Sequence, residues 1–213
     1  MRSFSFAVTL LLAAFTVGAP MAYAQDQQPK PSQAAPPSPA AHVSGVFSEL
    51  AVTYTTERSN VVPGGGQFWL QGGSIDGALT FVHGFGLALN TTGDFNSRIA
   101  PGVGLVDLSA MAGPRYTRRL GIGAKHETWV FGEALAGVVR AEGSAFPKTT
   151  GFDTRASSFT YQAGGGVEIA ISKRLAIRAI EADYVVSQLP NNANNRQTHL
   201  RLAFGICLRS AKH

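Results

Sequence analysis

Disulfides, cysteine-based metal clusters and membrane-spanning helices are excluded at the outset. The chain of 213 residues holds one cysteine, Cys207, too few for an internal disulfide framework or a cysteine-cluster zinc or iron–sulfur site. Outside the extreme N-terminus no apolar run reaches about 18 residues, the least that crosses a bilayer as a helix. Charge is scarce at 15% of residues, whereas a disordered chain carries more charge and fewer aromatic and β-branched residues. The net charge of +5 does not point to nucleic acid. The basic residues are scattered, and only Arg118-Arg119 and Lys173-Arg174 are adjacent pairs, so no nucleic-acid partner is expected. What is left is rich in glycine (24 residues), with a mean hydropathy near zero at +0.06. That profile suits an all-β protein.

Residues 1–24 have the layout of a secretory signal peptide. Arg2 supplies the positive start, Phe4 to Val17 a short apolar stretch, and Ala22-Tyr23-Ala24 the small-residue cleavage site. Cleavage near Ala24 would make Gln25 the first mature residue. Residues 25–45 hold five of the eleven prolines, together with Gln, Ala and Ser, and are expected to form a flexible linker. Residues 46–210 are expected to form the folded domain, and 211–213 a short tail.

From Val46 onward apolar residues recur every second position, the period of strands. Eight strands are predicted near 46–57, 68–82, 86–94, 105–117, 128–140, 158–171, 175–187 and 198–209. In the last, Leu200, Leu202, Phe204, Ile206 and Leu208 share one face, opposed to His199, Arg201, Ala203, Gly205 and Cys207. The connections alternate in length. His83-Gly84 and Ser172-Lys173-Arg174 are tight turns and 118–127 a moderate one, while polar loops are expected near 58–67, 95–104, 141–157 and 188–197. Short turns at one end and longer polar loops at the other are the pattern of a transmembrane β-barrel. The predicted fold is therefore an eight-stranded antiparallel up-and-down transmembrane β-barrel.

The charges decide which face turns inward. Eight strands enclose only enough room for side chains, and charges buried there must pair. Glu49, Asp107, Glu168, Glu181 and Asp183 are expected to meet Arg115, Arg178 and Arg201 as a structural charge network in the lumen. Turned inside out, each Arg near the bilayer midplane would cost about 2–4 kcal/mol. The seventh strand breaks the alternation, because Arg178 is even-numbered while Glu181 and Asp183 are odd. A β-bulge near Ala179-Ile180 would turn all three inward. In the fifth strand Glu133 shares parity with Trp129, Phe131 and Leu135, which leaves its lipid-facing side open.

Roughly residues 46–210 resemble the OmpA-like family of small outer-membrane barrels, and within them 161–184 look like the family's penultimate hairpin. The resemblance rests on Tyr161-Gln-Ala-Gly-Gly-Gly-Val-Glu168, the Ser172-Lys-Arg174 turn, and Leu175-Ala-Ile-Arg-Ala-Ile-Glu-Ala-Asp-Tyr184. Met111-Ala-Gly-Pro-Arg-Tyr116 is similar to the family's fourth strand. The resemblance implies a bacterial outer-membrane location, a mostly closed lumen, and a structural or narrowly permeable role. Its implied partners are outer-membrane lipid and lipopolysaccharide, with periplasmic chaperones and the barrel-assembly machinery during export. The chain stops soon after the eighth strand, so the family's peptidoglycan-binding domain is not expected. It also ends on Leu208-Arg-Ser-Ala-Lys-His213 rather than on the aromatic residue usual for such barrels.

No catalytic residues, metal ligands or cofactor site are expected. The five histidines show no i, i+4 pair, and neither H-E-x-x-H nor a phosphate-binding G-x-x-x-x-G-K-[ST] occurs. His199, with an acid and a serine, is the one starting point for a triad, and is read as a polar rim residue. Two other readings stay open: a surface adhesion or recognition barrel acting through its outer loops, and a soluble periplasmic ligand-binding barrel.

Overall fold

A computed structural model describes residues 46–60, 67–100, 103–120, 127–147, 151–191 and 194–210. The signal peptide, linker and tail lie outside the described residues. Eight strands, β1 (Phe47–Asn60), β2 (Phe68–Val82), β3 (Phe85–Ala100), β4 (Val103–Leu120), β5 (Thr128–Pro147), β6 (Phe152–Ala170), β7 (Leu175–Ser187) and β8 (Gln197–Arg209), pair antiparallel with their sequence neighbours. β8 closes on β1. Closure leaves no sheet edge, so every strand has partners on both sides, as a backbone in lipid requires.

The tight turns follow from local chemistry. His83 and Gly84 both take positive φ (53° and 89°), the twist that a two-residue hairpin between right-twisted strands needs. In the β6–β7 turn, Ser172 Oγ accepts hydrogen bonds from the backbone N–H groups of Arg174 (3.3 Å) and Leu175 (3.1 Å). At the opposite end, Asn191 Oδ1 accepts from the N–H groups of Asn194 (3.1 Å) and Asn195 (2.8 Å).

Two of the four expected outer loops are mostly strand. β3 and β4 run through most of 95–104, and β5 and β6 through most of 141–157. Backbone pairing continues past the apolar belt there, since ladder hydrogen bonds satisfy polar backbone in water as well as in lipid. Length asymmetry therefore resides in the strands. β5 has 20 residues and β6 has 19, against 13 each in β7 and β8.

The outer wall is apolar. Leu50, Val52, Ile75, Leu87, Leu89, Leu108, Ile177 and Ile206 are all exposed. Aromatic side chains mark the belt's two margins. Phe85 and Tyr116 stack at one (ring centroids 4.9 Å apart), and Trp69, Phe95 and Phe159 lie exposed toward the other. Phe85 to Phe95 spans about 33 Å along the strand, or about 25 Å of height at the usual tilt, the thickness of an outer-membrane apolar band. A water-soluble barrel of this size would hide these residues; here the charges are hidden instead. This is a transmembrane barrel.

The bulge is present. Arg178 pairs with Gly205 and Glu181 with Ala203, so Ala179 and Ile180 together oppose Phe204. Both bulge residues are exposed, while Arg178, Glu181 and Asp183 are buried. β5 is resolved as well: Glu133 faces the lumen and takes Phe131 and Leu135 with it. The inner face is thus less uniformly small and polar than the other strands imply.

Candidate functional site in the barrel lumen

The lumen holds two charge clusters and an apolar plug. Arg178, fully buried, is the hub of the lower cluster. Its Nη1 lies 2.7 Å from Glu181 Oε2 and 3.3 Å from Asp76 Oδ2. Its Nε lies 3.0 Å from Glu168 Oε1, and its Nη2 3.3 Å from Glu49 Oε1. Arg115 Nη2 donates to Glu49 Oε1 (2.8 Å) and Glu168 Oε1 (3.3 Å). Arg209 Nε donates to Glu49 Oε2 (2.8 Å), and Arg209 also reaches Glu168. The ring of Phe131 lies near two guanidiniums, 3.7 Å from Arg115 Cζ and 4.7 Å from Arg178 Cζ. Its negative face adds attraction to both cations. One arginine thereby ties β1, β2, β6 and β7 across the barrel.

The upper cluster is built on Arg201. Its Nε donates to Glu57 Oε2 (3.0 Å), and its Nη1 to Gln162 Oε1 (3.1 Å) and Thr92 Oγ1 (3.3 Å). Glu57 Oε1 lies 2.9 Å from His199 Nδ1. Two polar threads join the clusters. Gln162 Nε2 donates to Glu133 Oε1 (3.0 Å). Thr92 donates to Asn90 (2.8 Å), and Asn90 donates to Asp76.

Toward the outer mouth, Leu70, Leu105, Val139, Ala141, Phe146 and Leu189 pack together. Ala141, Phe146 and Leu189 come from segments predicted as loops. Between this plug and the upper cluster is a cavity of about 20 Å³, lined by Glu57, Asp94, His199, Arg201 and Leu189 among others. That is room for about one water molecule.

The structure brings Glu49, Arg115, Glu168, Arg178 and Glu181 into the lower cluster and places Arg201 in the upper one. Asp183 and Asp107 depart from the expected pairing. Each has an Oδ1 with no hydrogen-bond partner. Asp183 faces Arg201 across the β7–β8 ladder, but the Arg201 guanidinium is turned to Glu57 and Gln162. Asp107 lies by the outer cavity. Glu57, Asp76, Asp94 and Arg209 were missed as network members, although the alternation of β1, β2, β3 and β8 already places each of them on the inner face.

A serine stands across the ladder from His199. Ser59 stands directly opposite it, and neither Ser59 Oγ nor His199 Nε2 has a hydrogen-bond partner. Ser59 is completely buried.

With the apolar wall, charged lumen and eight-strand closure in place, the molecule can be set beside solved structures. Ail, the attachment invasion locus protein of Yersinia pestis, solved with the heparin analogue sucrose octasulfate, superposes with a TM-score of 0.51 at 16% identity. The match covers 78% of this chain and 99% of Ail. The fold is that of the small outer-membrane barrels. Neisserial surface protein A aligns with a TM-score of 0.49 at 14% identity, covering 78% of this chain and 97% of that protein. OprG of Pseudomonas aeruginosa gives a TM-score of 0.42 at 8% identity, covering 80% and 98%. No protein-family model matches the sequence, and no curated protein does.

Proposed function

We propose that this chain is a structural outer-membrane barrel whose lumen is closed to solutes. The observation that carries the reading is the Arg178 hub, which joins carboxylates from four strands across the lumen. Opening a path would strand several buried charges, at about 3–5 kcal/mol for each pair broken by loss of one partner. The Leu70–Leu189 plug closes the same path a second time. Exposed apolar belts of this height support residence in lipid, with outer-membrane lipid and lipopolysaccharide around the wall. Export past Ala24 and delivery by chaperones and the assembly machinery belong to the same reading.

Purified protein inserted in a planar lipid bilayer should give a flat current trace at moderate voltage. Stepwise unitary currents from folded protein would overturn the closed-lumen reading. Folding is checked in the same preparation by electrophoresis with and without boiling, because a fully paired barrel stays compact in detergent until heated.

A second reading, recognition at the outer rim, is favoured by exposed arginines there. Arg58, Arg140, Arg155 and Arg196 all reach solvent, with Glu142 between Arg140 and Arg155 as the counter-charge (2.8 and 3.5 Å). An acidic polysaccharide would be the fitting ligand. Heparin retention that falls steeply with salt, and is lost in R140A/R155A, would support this reading.

A further inference from the structure

The lumen holds more acid than base. Among the described residues eight carboxylate side chains are buried, against the three arginines Arg115, Arg178 and Arg201, with Arg209 almost buried at the rim. The imbalance is not spread evenly. Glu49, Glu168 and Cys207 offer one group of ligand atoms, but Arg115, Arg178 and Arg209 fill that space with guanidiniums. Glu133, Glu181 and Asp183 offer the other, and guanidiniums reach only part of it. Arg178 takes up one oxygen of Glu181 (2.7 Å). Arg115 Nη1 comes only within 3.8 Å of Glu133. Asp183 makes no ion pair among the described residues, although Arg201 stands opposite it in the β7–β8 ladder.

Asp183 is the decisive group. Its side chain is 98% buried, being only 2% exposed, yet its Oδ1 has no hydrogen-bond partner. An unpaired carboxylate in such a place is costly unless something neutralises it. The backbone makes room for it: a Cβ on Gly164, across the β6–β7 ladder, would stand 2.0 Å from Asp183 Oδ1. The carboxylate is therefore seated in a notch beside two other acids, with one oxygen from each of the three lying within 4.8 Å of the others.

We propose that Glu133, Glu181 and Asp183 form a cation site in the lumen, suited to a calcium ion. Oxygen-only donors select a hard cation. Two ligands of one ion lie at most twice the bond length apart, which for calcium is about 4.6–5.2 Å. The three carboxylates lie within 4.8 Å of one another, so small side-chain adjustments bring them onto one ion. Water completes the shell. A bound ion gives Asp183 its missing partner, and it ties β5 to β7 across β6 at the junction of the two charge clusters.

The test uses the full mature protein, freed of lipopolysaccharide and refolded in detergent with either EDTA or calcium chloride. Metal retained after gel filtration is measured by atomic absorption, and the temperature at which the compact gel band is lost is recorded. The expected result is about one calcium per chain and a higher conversion temperature in calcium. Both effects should vanish in Asp183→Asn and Glu133→Gln and persist in Glu142→Gln, whose side chain lies on the outer rim. Asp183→Asn removes the unpaired charge at nearly constant shape. In EDTA it should fold at least as well as the parent, which separates loss of the ion from loss of the fold. No retained calcium, or calcium retained equally by Asp183→Asn, would overturn the site.

Discussion

Arg178 Nη1 lies 2.7 Å from Glu181 Oε2, on one wall of the lumen, although strict pleating sends residues three apart to opposite faces. The bulge at Ala179-Ile180 reconciles the two, because it sets two residues of β7 against the single Phe204 of β8. Removing Ala179 leaves Arg178 and Glu181 two positions apart and still on the same face. The Ala179 deletion should therefore fold and keep its heat-shifted gel band. Deleting Ala182, only three residues on, sends Asp183 and Val185 outward and should abolish the compact band. Equal behaviour of the two deletions would contradict the bulge.

Arg178→Met should destabilise the barrel by about 3–5 kcal/mol, because it leaves Asp76 and Glu181 without their guanidinium, while Glu168 keeps Arg115 and Arg209. Urea titration of the folded gel band measures the loss. Adding Glu181→Gln should return part of it, with a coupling of about 0.5–3 kcal/mol between the two sites. Additive effects would mean that the 2.7 Å contact contributes nothing of its own.

Gly164 and Gly77 should respond oppositely to alanine. A Cβ on Gly164 would meet Asp183 Oδ1 at 2.0 Å and Ala182 O at 2.4 Å, whereas one on Gly77 meets nothing within 4 Å. Gly164→Ala should cost at least about 1–3 kcal/mol, the range for overpacking. Gly77→Ala should stay within about 0.5 kcal/mol. The same urea titration compares them.

The lipid-facing wall is tested at Leu89, which is 57% exposed and lies between the aromatic margins at Phe85 and Phe95. Leu89→Arg should cost about 2–4 kcal/mol in lipid vesicles if the position is near the midplane. In a water-soluble barrel an exposed Leu→Arg change would be nearly neutral. Reversible unfolding from vesicles, followed by tryptophan fluorescence, tells the two apart.

Much of the lumen is legible one strand at a time. In β8 the alternation alone separates Leu200, Phe204, Ile206 and Leu208, all exposed, from His199, Arg201 and Cys207, all buried. β5 defeats this reasoning because its inner face is the bulky one. Trp129, Phe131 and Leu135 share parity with Glu133, while Val130, Gly132, Ala134 and Ala136 line the other side. An apolar residue reads alike whether it fills a lumen or meets lipid, so parity cannot say which face is outside. Glu133 decides it: a carboxylate excluded from lipid carries its whole face inward. The plug residues Phe146 and Leu189 were hidden for another reason. They stand in stretches of glycine, proline and polar residues that carry no strand period.

Strand number, the two-residue period and the placing of charges on one face are properties of the sequence, because each rests on residues close together in the chain. Which acid meets which arginine is not such a property. Arg178 and Glu49 are 129 residues apart, and Arg201 and Glu57 are 144 apart. They meet only because β8 closes on β1 in one particular register. Closure also turns the Arg201 guanidinium toward Glu57 and leaves Asp183 without a partner. Side-chain direction is encoded locally by the pleat, but contact across a lumen depends on the stagger of all eight strands at once.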